Sequence, residues 1–214
     1  MTTRRLLAGV CAGLAAIGGV LFLGAVLADQ GVWYAGFVSE VGVPGRPFRT
    51  AYQLGLIGVG AGVVLLAVLL RPLGALVGLA LALGGVLAAA SAVVPCSPGC
   101  PLPPYETPTA QDLVHAGASV AGAGLCALAV LLVALRRTDD AMRRVARVAI
   151  GPVVLLGLAT VYGLAFLGRS TFTGTVERLL LALLIAWNVA AAVVAGRTRE
   201  PNAQLSVARS GQPY

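Results

Sequence analysis

The chain has 214 residues, of which 58% are hydrophobic and 11% are charged. In soluble domains roughly a quarter of the residues are charged, so this composition excludes a soluble globular protein and predicts an all-α membrane protein. The formal net charge of +7 does not indicate a nucleic-acid partner, because the arginines stand at the ends of apolar stretches, where positive charge marks membrane topology.

Six apolar stretches are long enough to cross a bilayer, which takes about 20 residues of helix. The predicted crossings are residues 6–28, 52–70, 73–94, 113–135, 148–167 and 179–196. The first is longer than the apolar region of a secretory signal, which has about 7 to 15 residues, so we predict a retained helix. Residues 1–196 then form one six-helix membrane domain, and the polar segment 197–214 is expected to be a disordered cytoplasmic tail.

The arginines predict the orientation of this bundle. One set of alternate helix ends and loops carries Arg4, Arg5, Arg71, Arg136, Arg137, Arg143, Arg144, Arg147, Arg197, Arg199 and Arg209. The other set carries only Arg46, Arg49, Arg169 and Arg178. Because positive residues in short loops stay on the cytoplasmic side, both termini are predicted to be cytoplasmic. The absence of lysine and the abundance of Ala, Gly, Val and Pro are typical of a GC-rich bacterial genome, which predicts a bacterial plasma membrane.

The first long external loop, between the first and second crossings, carries aromatic and charged candidates. Trp33, Tyr34 and Phe37 follow the first crossing, where amphipathic rings favour the headgroup region. Glu40 and Arg49 lie further along and are candidate binding residues. Two arrangements are open for them, an ion pair across the loop or two separately solvated charges.

The second long external loop contains the pattern Cys96-Ser-Pro-Gly-Cys100. Two cysteines on an oxidising side of the membrane favour a disulfide, and the Pro-Gly dipeptide supplies a turn that brings the thiols together. A redox-active pair and two free thiols are the alternatives, although the spacing differs from the C-x-x-C of thioredoxin-like proteins. Cys11 and Cys126 lie inside crossings and are expected to be small buried side chains.

The fourth crossing begins with a capping-box pattern from Thr109 to Asp112. Asp112 and His115 are three residues apart and therefore share one helix face near the external surface. An ionisable side chain at this depth is a functional candidate. The open roles for the pair are a proton relay, a cation site with Glu40 or Glu106, and a lipid-headgroup site. The alternative is a histidine that hydrogen-bonds its own helix cap and the adjoining loop.

The remaining inventory excludes several chemistries. A single histidine cannot supply a bis-histidine haem or a zinc site built on several histidines. The chain has neither the G-x-x-x-x-G-K-[ST] phosphate loop nor the G-x-S-x-G nucleophile elbow. No catalytic residue, metal or cofactor is therefore predicted, and the nearly apolar mid-span positions disfavour an ion-coupled carrier.

Glycines recur at four-residue spacing inside three crossings, a pattern that lets helices approach closely. The pairs are Gly9 with Gly13, Gly58 with Gly62, and Gly74 with Gly78. Packing inside one bundle and assembly into a homo-oligomer both use such pairs, so the pattern leaves the two alternatives open.

Four short motifs occur in order along the chain. They are Ser39-Glu40-x-Gly42, Arg49-Thr-Ala, Pro95-Cys-x-Pro-Gly-Cys-Pro101 and Asp112-Leu-Val-His115. In these motifs and in its pattern of helices, the chain resembles the membrane-protein family catalogued as domain of unknown function 998 (DUF998). The resemblance covers most of the chain and implies a multi-helix integral membrane protein, but it brings no activity, cofactor or catalytic residue.

These features together predict a non-enzymatic membrane component. It is expected to bind a membrane lipid or a partner protein at the external loops, through Glu40, Arg49, Asp112 and His115. A homo-oligomer, for which the glycine pairs are the sequence signal, is the other partner considered. The alternative is a small membrane enzyme or a proton-linked carrier that uses His115 with nearby carboxylates.

Overall fold

The computed structural model describes residues 3–32 and 36–197 of the chain. The predictions for Trp33, Tyr34 and the segment after Arg197 concern residues that lie outside this described part.

Six long helices account for most of the described residues. They are α1 (Thr3–Ala28), α2 (Arg49–Leu70), α3 (Ala75–Val93), α4 (Ala110–Leu135), α5 (Asp140–Tyr162) and α6 (Thr171–Arg197). Two 3₁₀ segments, Val38–Gly42 and Arg71–Leu73, and a π-helical turn, Gly163–Leu167, lie between them. All six helices are long and apolar enough to cross a membrane, and the described ranges contain no strand. The predicted all-α, six-helix fold is confirmed.

The helices form a closed ring. Each packs against its neighbours in sequence, and α6 returns to pack against α1. The side chain of Arg4 joins the two ends of the ring by donating a hydrogen bond from Nε to Ala195 O, 3.0 Å away. The start of α1 and the end of α6 therefore lie together, at what we call the arginine-rich end. The opposite end, where residues 29–48 and 94–109 connect the helices, is the capped end. That the arginine-rich end is cytoplasmic stays a prediction.

Glycines let the backbones of α1, α2 and α3 touch. A Cβ added at Gly55 would lie 2.5 Å from Phe22 N on α1, and one added at Gly60 would lie 2.6 Å from Gly85 O on α3. Because these distances are shorter than any real Cβ contact, the approach of the three helices depends on glycine at these positions.

The predicted glycine pairs have different surroundings. Gly58 and Gly62 pack on the backbone of α1, so this pair serves contacts inside the bundle. Gly9 and Gly13 would place an added Cβ more than 4 Å from every described atom outside their own helix. Gly74 follows the Arg71–Leu73 turn with a φ of 138°, a backbone conformation that favours glycine.

The interior is packed at the arginine-rich end. The largest cluster of buried side chains fills that half of the ring, and it includes Leu66, Leu70, Val133, Met142 and Trp187. The capped half contains smaller clusters and a cavity between the helices. The cavity lies in the capped half, and its lining includes Leu180 and Leu184 of the largest cluster.

Helix α5 is the least enclosed of the six. Only 11% of its membrane-spanning window is buried, against 33–50% for the other helices. Its N-terminus is capped by Asp139, whose carboxylate accepts hydrogen bonds from the backbone of Ala141 and Met142. Pro152 interrupts the helix interior, and the π-helical turn ends the helix beside the cavity.

Candidate functional site

The capped half of the ring encloses a cavity of about 430 Å³. Residues 37–39 and 96–103 cover it, and we call these two segments the roof. Most lining side chains are aliphatic. The polar lining residues are Ser39, Tyr52, Ser91, Asp112, His115, Ser119, Thr160, Glu177 and Asn188. An apolar cavity with a few polar groups is typical of a small-molecule site.

The cavity is elongated along the helix axes. On α6 it extends from Glu177 to Asn188, eleven residues further on. Eleven residues correspond to about three helical turns, which keeps both side chains on one face and separates them by about 16 Å. The same spacing recurs on α2, from Tyr52 to Val63, and the α6 positions between the two polar ends that line the cavity are aliphatic. The length is close to one leaflet, since the bilayer core is about 30 Å thick.

Exposed side chains on α4 and α5 are among the lining residues, and from them we infer an opening between these two helices. Val120 on α4 and Val161 on α5 both line the cavity, yet they are 51% and 59% exposed on the outer surface of the bundle. Ala165 on the π-helical turn also lines the cavity and is exposed. In a membrane these side chains would face hydrocarbon, so the opening connects the cavity with the lipid phase.

Asp112 anchors the roof to α4. Its carboxylate accepts hydrogen bonds from the backbone N–H groups of Ser97 (2.6 Å) and Thr109 (2.8 Å) and from both of their hydroxyls. Thr109 Oγ1 in turn accepts from Asp112 N, which confirms the predicted capping box. With four donors around it, the carboxylate serves as the acceptor that holds the roof to the start of α4.

His115 lies one turn further along α4 and reaches the cavity. Its Nδ1 lies 2.6 Å from Val94 O, and because a carbonyl can only accept, Nδ1 carries the proton. Ser119 Oγ is 3.5 Å from Nε2, a long contact that leaves Nε2 open to a donor in the cavity. Among the described residues no three His, Cys, Asp or Glu side chains are grouped to hold a metal ion.

Glu40 has a different partner from the one considered above. Arg169, which precedes α6, donates to both Glu40 carboxylate oxygens, at 2.7 and 2.9 Å. The Glu40 side chain is 5% exposed, so it is neither separately solvated nor paired with Arg49. Glu40 Oε1 also accepts from Phe37 N, which ties the ion pair to the roof. The hydrogen bond to Glu40 raises the pKa of the Arg169 guanidinium above its ordinary value.

Arg49 is not part of the cavity. It begins α2, and its Nε is buried without a hydrogen-bond partner among residues 3–32 and 36–197. The structure thus brings Asp112 and His115 to the cavity and places Glu40 behind the roof, while Arg49 lies apart from them.

Glu177 is a site residue that sequence reasoning missed. Its Oε2 accepts a hydrogen bond from Val38 N in the roof, 3.0 Å away, and its side chain lines the cavity. The next residue, Arg178, donates to the backbone carbonyls of Val32 and Gly36. We predicted that the sixth crossing begins at residue 179, so Glu177 and Arg178 lay outside it. A carboxylate at the start of an apolar helix was the signal available, because such residues are costly in a membrane and often functional.

A disulfide closes the second segment of the roof. Cys96 and Cys100 are bonded to each other, as the favoured alternative predicts. Ser39 Oγ, in the first segment, donates to Cys100 Sγ at 3.3 Å, so the two roof segments contact each other at the bridge. Cys11 and Cys126 are free and buried, in agreement with the prediction.

The fold and the cavity define a multi-pass integral membrane protein whose helices surround an apolar cavity. The model of the family described as "Protein of unknown function (DUF998)" matches residues 4–194. The chain belongs to this family. No curated protein and no solved structure matches the chain.

Replacing Arg169 with Met removes the partner of a buried carboxylate. We expect the free energy of unfolding to fall by about 1.5–3 kcal/mol, the contribution of a hydrogen bond to a charged group. The lower part of this range applies because the Arg169 side chain is 41% exposed. Thermal unfolding in detergent micelles measures the change.

The matched control is Arg143→Met. Arg143 pairs with Asp140, which is 81% exposed, and exposed pairs contribute only about 0–1 kcal/mol. Equal losses of stability in the two variants would contradict a structural role for the Glu40–Arg169 pair.

Proposed function

We propose that this protein is a non-enzymatic component of the membrane that binds an amphiphilic lipid, with the hydrocarbon chain of the lipid inside the cavity. The observation that carries the proposal is the shape of the cavity: an apolar chamber about 16 Å long, with two lining side chains, Val120 and Val161, that are also exposed. The site proposed here lies beneath the external loops, whereas the sequence favoured the loops themselves.

The size of the cavity favours occupancy. In a soluble protein, residual cavities destabilise by about 24 cal/mol per Å³. A cavity of about 430 Å³ would then cost on the order of 10 kcal/mol if it stayed empty, which is comparable with the whole stability of a typical domain, about 5–15 kcal/mol. Water is a poor filler because the lining is mostly apolar. A hydrocarbon chain restores the missing contacts.

Selectivity for one lipid must come from the polar groups. A chain that moves from the bilayer into the cavity leaves one apolar environment for another and gains little from the hydrophobic effect. Glu177 and His115 near the roof, and Asn188 at the deep end, are the groups that distinguish one amphiphile from another. If the arginine-rich end is cytoplasmic, as the positive-inside rule predicts, the lipid comes from the outer leaflet of a bacterial plasma membrane.

Filling the cavity should abolish binding. Ala123 lines the cavity on α4, towards its deep end, and the variant Ala123→Phe places a ring in the space of the chain. Native mass spectrometry of the gently purified protein should show a lipid adduct on the wild type and a loss of at least tenfold in the variant.

The control is Val114→Phe, on the same helix but 59% exposed and outside the cavity. It should keep the adduct. Wild-type protein that carries no lipid would contradict the proposal and favour a protein partner or a second copy at the external loops.

A proton-linked role for His115 is the second candidate. The observation that favours it is that His115 and the Glu177 carboxylate line the same cavity, so two titratable groups flank one chamber. Asp112 is not available for this role because its donors occupy it.

This candidate predicts proton movement that depends on His115. In proteoliposomes with an imposed pH gradient, His115→Gln should slow the dissipation of the gradient relative to the wild type. Equal rates in the wild type, in His115→Gln and in protein-free vesicles would reject it.

A further inference from the structure

The deep end of the cavity presents an unused hydrogen-bond acceptor. Asn188 lines the cavity and is 2% exposed. Its Nδ2 donates to Leu184 O at 2.8 Å, which fixes the orientation of the amide. Its Oδ1 is buried and has no hydrogen-bond partner in the described part of the chain.

Such an acceptor is unfavourable unless something binds it. A buried polar atom without a partner loses its hydration with no compensation, and polar side chains inside membrane helices are mostly paired or functional. A second copy of the chain cannot supply the partner, because the Asn188 side chain is enclosed by its own bundle. Because Asn188 lines the cavity, a ligand bound there is the remaining candidate partner for Oδ1.

The other end of the cavity also favours hydrogen-bond donors. Glu177 contributes a carboxylate, and no arginine is among the described lining residues. A phosphate group inside the cavity would therefore have no guanidinium to pair with. A neutral molecule with donors at its ends fits this lining better than an anionic headgroup.

On these grounds, and resting on the lipid-binding function proposed above, we infer that the cavity selects a neutral amphiphile with a hydroxyl at the buried end of its chain, and that Asn188 Oδ1 accepts the hydrogen bond of this hydroxyl. The second polar end of such a molecule lies about 16 Å away, near Glu177 and His115. Asn188 is then a specificity-determining residue of the site.

Two probes of equal chain length test this inference. Dodecanol has a hydroxyl at one end, and dodecanediol has one at each end. Their binding to delipidated protein in detergent micelles is compared by native mass spectrometry, for the wild type and for Asn188→Leu. For each protein, the preference is the affinity for the diol divided by the affinity for dodecanol. When the preference of the wild type is divided by that of the variant, the different partitioning of the two probes into micelles cancels. A hydrogen bond with a net value of about 1 kcal/mol makes this quotient about fivefold.

Two further variants serve as controls. Thr160→Val is the matched control, because Thr160 also lines the cavity but already donates to Leu156 O, so its diol preference should equal that of the wild type. Asn188→Ala removes the acceptor without adding bulk and should lose the preference as Asn188→Leu does.

The outcomes separate the two proposals. If the wild type binds both probes and the quotient is one, the lipid-binding function stands and the role of Asn188 is overturned. If the wild type binds neither probe, the lipid-binding function fails and the inference fails with it. A quotient near five with an unchanged Thr160→Val variant supports both.

Discussion

The structure of the capped end depends on three carboxylates that accept hydrogen bonds from the backbone N–H groups of the loops there. Glu40, Asp112 and Glu177 come from distant parts of the chain, and each accepts a hydrogen bond from a backbone N–H of the loops that cover the cavity. The donors are Phe37 N, Ser97 N and Val38 N. A buried carboxylate is costly unless it is hydrogen-bonded, so each carboxylate and its N–H group stabilise each other. Together with the disulfide, these bonds fix the position of the roof above the cavity.

The arginine-rich half and the capped half of the ring have different roles. The arginine-rich half is filled with side chains such as Leu66 and Trp187, and it supplies the stability of the bundle. The capped half leaves space between the helices and is closed by the disulfide and the carboxylates instead. Helix α5, the least enclosed helix, borders the opening and ends there in a π-helical turn. Such turns are frequent at functional sites, and here the turn adjoins the route that a lipid would take.

Features encoded locally were predictable from the sequence. The six crossings follow from apolar length, and the caps at Thr109 and Asp139 follow from side-chain oxygens at the right spacing. Helix α6 begins at Thr171, eight residues before the predicted sixth crossing, because the segment from Thr171 to Arg178 contains polar and charged residues and lies outside the apolar stretch. That difference also hid Glu177, the carboxylate that lines the cavity.

Features that join distant residues were not predictable. Glu40 pairs with Arg169, 129 residues away, and a nearer arginine in the same loop offered a plausible but wrong partner. The cavity could not be predicted because most of its lining residues are aliphatic, like the residues that fill the arginine-rich half. Whether a leucine faces a neighbour or a void depends on the arrangement of all six helices. Asn188 is a polar side chain within the apolar part of α6, and its unpaired oxygen appears only in three dimensions.

The measurement that tests the central claim most directly is photolabelling in phosphatidylcholine vesicles, with a fatty alcohol that carries a diazirine at the end of its chain. Lipid around the bundle labels outward residues in any case, so the decisive positions are those that only a chain inside the cavity reaches. Leu184 is one of them, since it lines the cavity and is 4% exposed. The account predicts label at Leu184 and its neighbours in the cavity, and loss of that label in Ala123→Phe. Label confined to outward side chains such as Val114 would contradict it.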